Sequence, residues 1–220
     1  MKQANTWIVS LVFVVVMAGV AAWLYPHLPV PTPTHWDMQG HANGWTPRFW
    51  AAAMWPLLML AFVGLFALLP LISPRRFEIR PFARTYGIVV LAIQGALLVI
   101  GTIALLLGAG HRVPVVVVPL VVGALLMVLG NYMGKLRKNF FIGIRTPWTL
   151  ASDAVWERTH RLGGWVFIAG GVVLVVVALA GLPAFVIIAD VIAMALIPYL
   201  YSYFIYRRLE GRPQSGGDHA

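Results

Sequence analysis

The chain has no cysteine and little charge: only 10% of its 220 residues are Asp, Glu, Lys or Arg, and seven of these are acidic. Without cysteine there is no disulfide, no thiolate metal site and no cysteine nucleophile. A soluble domain carries about a quarter charged residues, so this scarcity excludes an ordinary water-soluble fold. The shortage of acid leaves a formal net charge of +9. Direct nucleic-acid binding wants those cations spread over one face. Here they sit in short gaps between apolar runs instead.

What is present is apolar, at 60% of the chain. A helix needs roughly 20 apolar residues to cross a bilayer. Six runs qualify, at about 6–25, 49–72, 86–108, 114–133, 162–182 and 183–206. Backbone groups in lipid must pair within their own segment, so these Val-rich runs read as helices and not strands. Pro56, Pro70 and Pro198 fall inside them, and Pro198 is expected to kink the last. The predicted fold class is an all-α integral membrane protein, a six-transmembrane helical bundle. It is a single domain over 1–212, followed by a disordered polar tail over 213–220.

Orientation follows from Lys and Arg. With the amino terminus inside, 14 of the 16 fall on the cytoplasmic side, and only Arg48 and Arg112 fall outside. That asymmetry predicts that both termini are cytoplasmic. Lys2, the apolar run and Val20-Ala21-Ala22 also fit a cleavable signal peptide, but the long run and thin positive region favour an uncut span. No internal repeat supports an inverted-repeat transporter. Gly130 and Gly134 form a Gly-x-x-x-Gly pair, and Gly170-Gly171 lies in the fifth span; both suit close helix contact.

Two polar segments interrupt the spans. The outer loop, 26–48, contains five prolines that stiffen it. Gly40 and Gly44 permit turns there, and Trp36, Trp45 and Trp50 suit the headgroup level. His35, Asp37 and His41 could ligate zinc, yet His-x-Asp-x-x-x-His is no established ligand pattern. Asp37 and His35 serve equally well to fix the turn around Gly40. No metal and no cofactor is therefore assigned.

The inner island, 134–161, reaches the start of the fifth span. Pro147 disfavours helix before it, so 143–148 should be a fixed turn, with Thr149 capping a helix from about Leu150 that runs on into the span. Asp153, Glu157 and Arg161 are spaced one turn apart. Trp156, His160 and Gly164 share another face. Arg145 is expected to pair with Asp153 or Glu157 and so fasten the turn to the helix. Asp190 lies within the last span, roughly 10 Å below its outer end. It should face the bundle, with a partner such as Gln94 or Thr102.

Two motifs carry a family resemblance. Pro33-Thr34-His35-Trp36-Asp37-x-x-Gly40, with Gly44-Trp45 and Arg48, resembles the outer-loop motif of the bacterial SdpI family. Asn139-x-Phe141-Ile142-Gly143-Ile144-Arg145-Thr146-Pro147-Trp148-Thr149-Leu150, then Asp153, Trp156, Thr159-His160-Arg161 and Gly164, resembles that family's carboxy-terminal signature. The resemblance spans nearly the whole chain. It implies a multi-pass protein of the bacterial cytoplasmic membrane that gives immunity to a secreted, membrane-active peptide toxin. It also implies signalling by holding a transcriptional repressor at the membrane.

Three functions compete. A non-enzymatic immunity or sensor protein fits the exterior loop and the basic inner face, with His35, Trp36, Asp37, Gly40 and Trp45 as recognition residues. Asn139, Arg145, Thr146, Pro147, Trp148, Asp153, Trp156, Glu157, His160 and Arg161 then form a structural or partner-binding motif. A small transporter or channel would use Asp190, with Gln94 at similar depth. A membrane metal hydrolase would use His35, Asp37 and His41, but it lacks a recognised ligand motif and a general base.

Overall fold

The computed structural model describes residues 3–37, 40–74, 79–114 and 116–210. Lys2, Arg75, Arg76 and Arg212, all used above to orient the chain, and the tail 213–220 lie outside the described residues.

The helices are α1 (Gln3–Leu24), α2 (Arg48–Ile72), α3 (Ala83–Gly108), α4 (Val117–Met133), α5 (Pro147–Ala151), α6 (Asp153–Ala180) and α7 (Ala184–Glu210). A hairpin of β1 (Thr32–Trp36) and β2 (Ala42–Thr46) joins α1 to α2. The protein is thus an all-α membrane protein with one small hairpin among the described residues. Five helices, α1, α2, α3, α6 and α7, are long and apolar enough to cross a membrane. The fourth apolar run gives a shorter helix. Its helix starts at Val117, not at Pro114, after a turn closed by the Val117 N–H on the Pro114 carbonyl at 3.1 Å. Seventeen residues span about 25 Å, against a hydrocarbon core of about 30 Å. Large apolar side chains such as Val15, Leu71, Leu179 and Phe185 point outward along the bundle. That is the surface lipid requires and water penalises.

Two groups of helices pack together. In the first, α1 lies against α2 and α3. A Cβ on Gly87 would come within 2.6 Å of Thr6 Oγ1, and one on Gly101 within 2.9 Å of the Trp55 ring. In the second, α6 lies between α4 and α7. The α4–α6 contact is made by backbone. A Cβ on Gly123 would sit 2.7 Å from the Gly171 carbonyl oxygen, and a Cβ on Gly171 would sit 2.6 Å from that of Gly123. Gly130 and Gly164 repeat this reciprocal contact at 2.6 and 2.7 Å. The pairing 123 with 171 and 130 with 164 makes the helices antiparallel. Gly134 is not part of it, because its nearest neighbour would be the Arg161 Cα at 3.9 Å. The contact repeats every seven residues, two helical turns, and the Gly-x-x-x-Gly spacing is not used.

The hairpin lies at one end of the bundle. The island lies at the other, with the first residues of α1 and the last of α7. Trp7 packs on the cluster formed there by Phe82, Tyr86, Met133, Leu136 and Trp156, and Ser152 Oγ donates to Glu210 Oε1 at 2.8 Å.

These contacts yield a stability prediction. Gly164→Ala or Gly171→Ala should lower the unfolding temperature in detergent. Overpacking against backbone costs about 1–3 kcal/mol, more than the roughly 0.5–1 kcal/mol that alanine gains over glycine inside a helix. Gly134→Ala should leave thermal unfolding unchanged or slightly raised. Equal behaviour of the three variants would contradict the packing.

Candidate functional site

At the hairpin end, Thr32 pairs with Thr46, Pro33 with Trp45, His35 with Gly44 and Trp36 with Ala42, with irregular register on both sides of His35. Proline stiffness alone suggested an extended loop; pairing across the turn makes it a hairpin. Gly40 supplies the turn with φ 85°. Asp37 closes it: the His41 N–H donates to Asp37 Oδ1 at 2.8 Å, the Asp37 N–H to the His41 carbonyl at 2.9 Å and the Gly40 N–H to the Asp37 carbonyl at 3.0 Å. Gly44 is not a turn residue. It sits in β2, where a Cβ would come within 2.9 Å of the His35 Cβ and part the strands.

The three candidate zinc ligands do not converge. His41 Nδ1 lies 3.4 Å from Asp37 Oδ2, while His35 Nδ1 is hydrogen-bonded to Asn43 Oδ1. Among the described residues no three His, Asp or Glu side chains form a metal-sized cluster.

The hairpin instead helps to wall a cavity of about 450 Å³. His35, Trp36, Asp37 and Gly40 line one side, and Trp55, Ile100, Ile103, Ala104, Leu107, Pro114, Val118 and Pro119 complete it. One rim is polar and the body is apolar, the composition of a site for an amphipathic ligand. Trp45 does not line it and lies 56% exposed. The α3 and α4 residues had no sequence signal beyond ordinary span composition, since they reach the loop only through packing. Gly108 allows this approach: a Cβ there would sit 3.1 Å from the Pro33 carbonyl.

At the other end, the island is organised by Asn139, which is fully buried. Its Nδ2 donates to the Arg137 and Ile142 carbonyls, each at 3.0 Å, and its Oδ1 accepts the Phe141 and Ile142 N–H groups at 2.9 and 2.7 Å. His160, also fully buried, accepts the Ile144 N–H at Nε2, 3.0 Å away, with Nδ1 2.9 Å from the Trp156 carbonyl. Nε2 must accept and Nδ1 must donate, so this geometry holds one neutral tautomer. The Trp156 ring stacks on His160 at 3.9 Å, and its Nε1–H donates to the Leu136 carbonyl at 2.8 Å. Gly143 has φ 107° and lies against His160 Nε2, leaving no room for a side chain.

Thr146, not Thr149, is the cap. Its hydroxyl accepts the Thr149 N–H at 3.2 Å, and Thr149 Oγ1 accepts the Thr146 N–H at 2.9 Å. Pro147 opens α5 at a position whose N–H would have no helical partner. The helix does not run on into the span: Ser152, with φ −134° and ψ 130°, separates α5 from α6. The Thr146 and Ser202 hydroxyls meet at 3.0 Å, and Trp148 packs edge-on against Tyr199 and Tyr203, which ties the island to α7.

The expected Arg145 ion pair is absent. Arg145 Nη1 donates to the Phe140 carbonyl at 2.7 Å, across the turn. The acids are taken by cations that precede the turn: Lys138 Nζ reaches Asp153 Oδ1 at 2.6 Å, and Arg137 Nη1 reaches Glu157 Oε1 at 3.4 Å. Apart from half-buried Lys138 these groups are exposed, and such surface pairs contribute at most about 1 kcal/mol each. The turn is held by His160 and Asn139, whose buried polar atoms must be satisfied. Glu157 therefore pairs with Arg137 and not with Arg161.

Asp190 and Gln94 do not meet. Gln94 Nε2 donates to the Met59 carbonyl at 3.0 Å, and Thr102 Oγ1 to the Leu98 carbonyl at 2.8 Å. Asp190 faces α6 instead, where its Oδ1 would lie 3.2 Å from a Cβ on Gly170. Its Oδ2 is buried without a hydrogen bond among the described residues. The expected α3 partners are out of reach because α7 packs on α6.

Two outcomes follow at the island. His160→Leu strips the partners from the Ile144 N–H and the Trp156 carbonyl and should cost about 1–3 kcal/mol, read as a lower unfolding temperature. Arg145→Lys keeps one donor for the Phe140 carbonyl and should change stability by less than about 0.5 kcal/mol. A lysine variant as damaged as Arg145→Ala would require an unseen carboxylate partner.

Comparison with known proteins covers both polar segments. Residues 135–202 match the SdpI/YfhL protein family, and residues 12–60 match a domain of unknown function, DUF1648. These segments hold the island with α6 and the hairpin with its flanking helices. Immunity protein SdpI of Bacillus subtilis (strain 168) is 27% identical over 207 residues, 93% of this chain and 97% of that protein. No solved structure matches. With Asn139, His160 and Trp156 built into one buried network and the similarity running nearly end to end, the chain is a multi-pass membrane protein that carries the SdpI/YfhL segment and is similar over its length to an immunity protein.

Proposed function

We propose that this protein gives a bacterium immunity to a membrane-active peptide toxin, acting without catalysis from the cytoplasmic membrane with both termini inside. The observation that carries the reading is the similarity to an immunity protein over almost the full length of both chains. The cavity beside the hairpin supplies a physical route. Its apolar body can take a side chain of an amphipathic peptide, while Asp37 and His35 at the rim can meet a polar group. Binding there would compete with insertion of the peptide into the bilayer. Signalling through a transcriptional repressor held at the island end is the second part of the proposal. The ties from the island to α7 support a rigid docking platform.

A transporter reading would need a polar path, and Asp190 faces α6 while Gln94 bonds to the Met59 carbonyl of α2. A hydrolase reading would need converging ligands, and His35 is turned toward Asn43.

Deleting the gene should sensitise the cell to one or more members of a panel of membrane-active peptides, and the wild-type gene should restore growth. Ala104→Phe, which fills the cavity from its α3 wall, and Trp36→Ala should accumulate normally in the membrane yet restore little protection. Unchanged resistance after deletion would reject immunity; full protection by Ala104→Phe would reject the cavity. Reporter fusions after Arg80 and Glu210 should read cytoplasmic, and one at Gly40 external.

A further inference from the structure

The cations at the island end do not form an even fringe. Five of them converge on one concavity of about 710 Å³: Arg80 and Arg84 where α3 begins, Lys135 and Arg137 after α4, and Arg161 on α6. Glu157 is the one carboxylate on its described wall, and it is engaged by Arg137 at 3.4 Å. Lys135 Nζ lies 4.5 Å from the centre of the Tyr132 ring. Among the described residues no carboxylate lies within ion-pair distance of Arg80, Arg84 or Arg161. The floor is formed by buried Phe82, Thr85 and Leu136. Among the described residues no side chain caps the amino end of α3, which opens onto the same space and adds its own partial positive charge.

The charge rule for membrane proteins demands cations on one side. It does not demand that cations from three separate segments share one hollow, where their mutual repulsion opposes folding. An anion in the hollow removes that repulsion. Guanidinium groups bind phosphate oxygens through paired N–H donors, and a hollow of this size is in the range of small-ligand sites, about 300–1,000 Å³. The hollow also lies at the helix ends, where headgroups sit, and its floor joins a hydroxyl to two apolar side chains. We infer that it is a phosphate-binding site, filled by the phosphate of an anionic phospholipid in the leaflet at the island end. The lipid would brace the start of α3 against the α4–α6 pair, on which it already packs.

The test uses the purified full chain, the double variant Arg84→Gln/Arg161→Gln, and Arg207→Gln/Arg208→Gln, which removes equal charge outside the hollow. Each is placed in mixed micelles with phosphatidylglycerol or phosphatidylcholine. Retained lipid is read by native mass spectrometry, and stability by thermal unfolding; a parallel set receives inorganic phosphate and no lipid. Wild type and the outer double variant should retain phosphatidylglycerol in preference to phosphatidylcholine and unfold at a higher temperature with it. Arg84→Gln/Arg161→Gln should bind it at least about tenfold more weakly, as the loss of two surface cations implies. If inorganic phosphate alone stabilises wild type and the outer variant but not Arg84→Gln/Arg161→Gln, and the two lipids are retained equally, the site takes phosphate from solution and the lipid assignment falls. Equal retention of both lipids with no phosphate effect, or a pocket variant indistinguishable from the outer one, overturns the site altogether.

Discussion

The contact of backbone against backbone between α4 and α6 is the constraint on which the rest of the island end depends. Lipid gives helices no hydrophobic reason to associate, so close van der Waals packing must do it. Gly123 with Gly171 and Gly130 with Gly164 provide that packing at two levels, two turns apart on each helix. The shortest apolar helix is thereby held along its length. Its last residues end beside α6, with Met133 Sδ only 2.9 Å from where a Cβ on Gly163 would lie. The chain that follows must turn back across the α6 face that carries Trp156 and His160.

That return crosses a region where water cannot serve every backbone group. The network of Asn139, His160, Thr146, Thr149 and Trp156 is the solution: each pairs a turn amide or carbonyl that would otherwise be orphaned. Orphaned buried groups cost more than surface ion pairs contribute. Hence the neutral imidazole of His160 matters to the turn more than the charges of Asp153 and Glu157. The same network hands the island to α7 through Ser202 and Trp148, so one end of the bundle is rigid.

The two ends carry opposite chemistry. The hairpin end offers an apolar cavity with a polar rim. The island end offers a cationic hollow. An amphipathic peptide arriving from one side and a phosphate anion on the other would load opposite ends of the bundle, with α3 contributing to both walls. That shared helix is the physical link between the faces.

Much of this was legible in the residues alone. Helix positions and the membrane class depend on local sums of apolarity over about 20 residues, and these survive any packing. The turn at Gly40 follows from glycine's backbone freedom and the one before Pro147 from proline's restriction on its neighbour, and Gly40 and Gly143 both have positive φ. The polar segments around His35 and Arg145 were expected to be shaped, and the structure makes them a hairpin and a buried hydrogen-bond network. The tertiary structure decided the partners. Gly130 and Gly134 looked like packing glycines, yet Gly123 takes the place of Gly134 beside Gly130 in the contact, because the rotation of α4 about its axis is set by α6. Arg145 was expected to meet an acid, yet Lys138 and Arg137 reach the acids first, because the turn folds them over α6. The strand pairing, the cavity walls and the convergence of Arg80, Lys135 and Arg161 join residues far apart in sequence. No local pattern encodes them, since each depends on where a second helix stands.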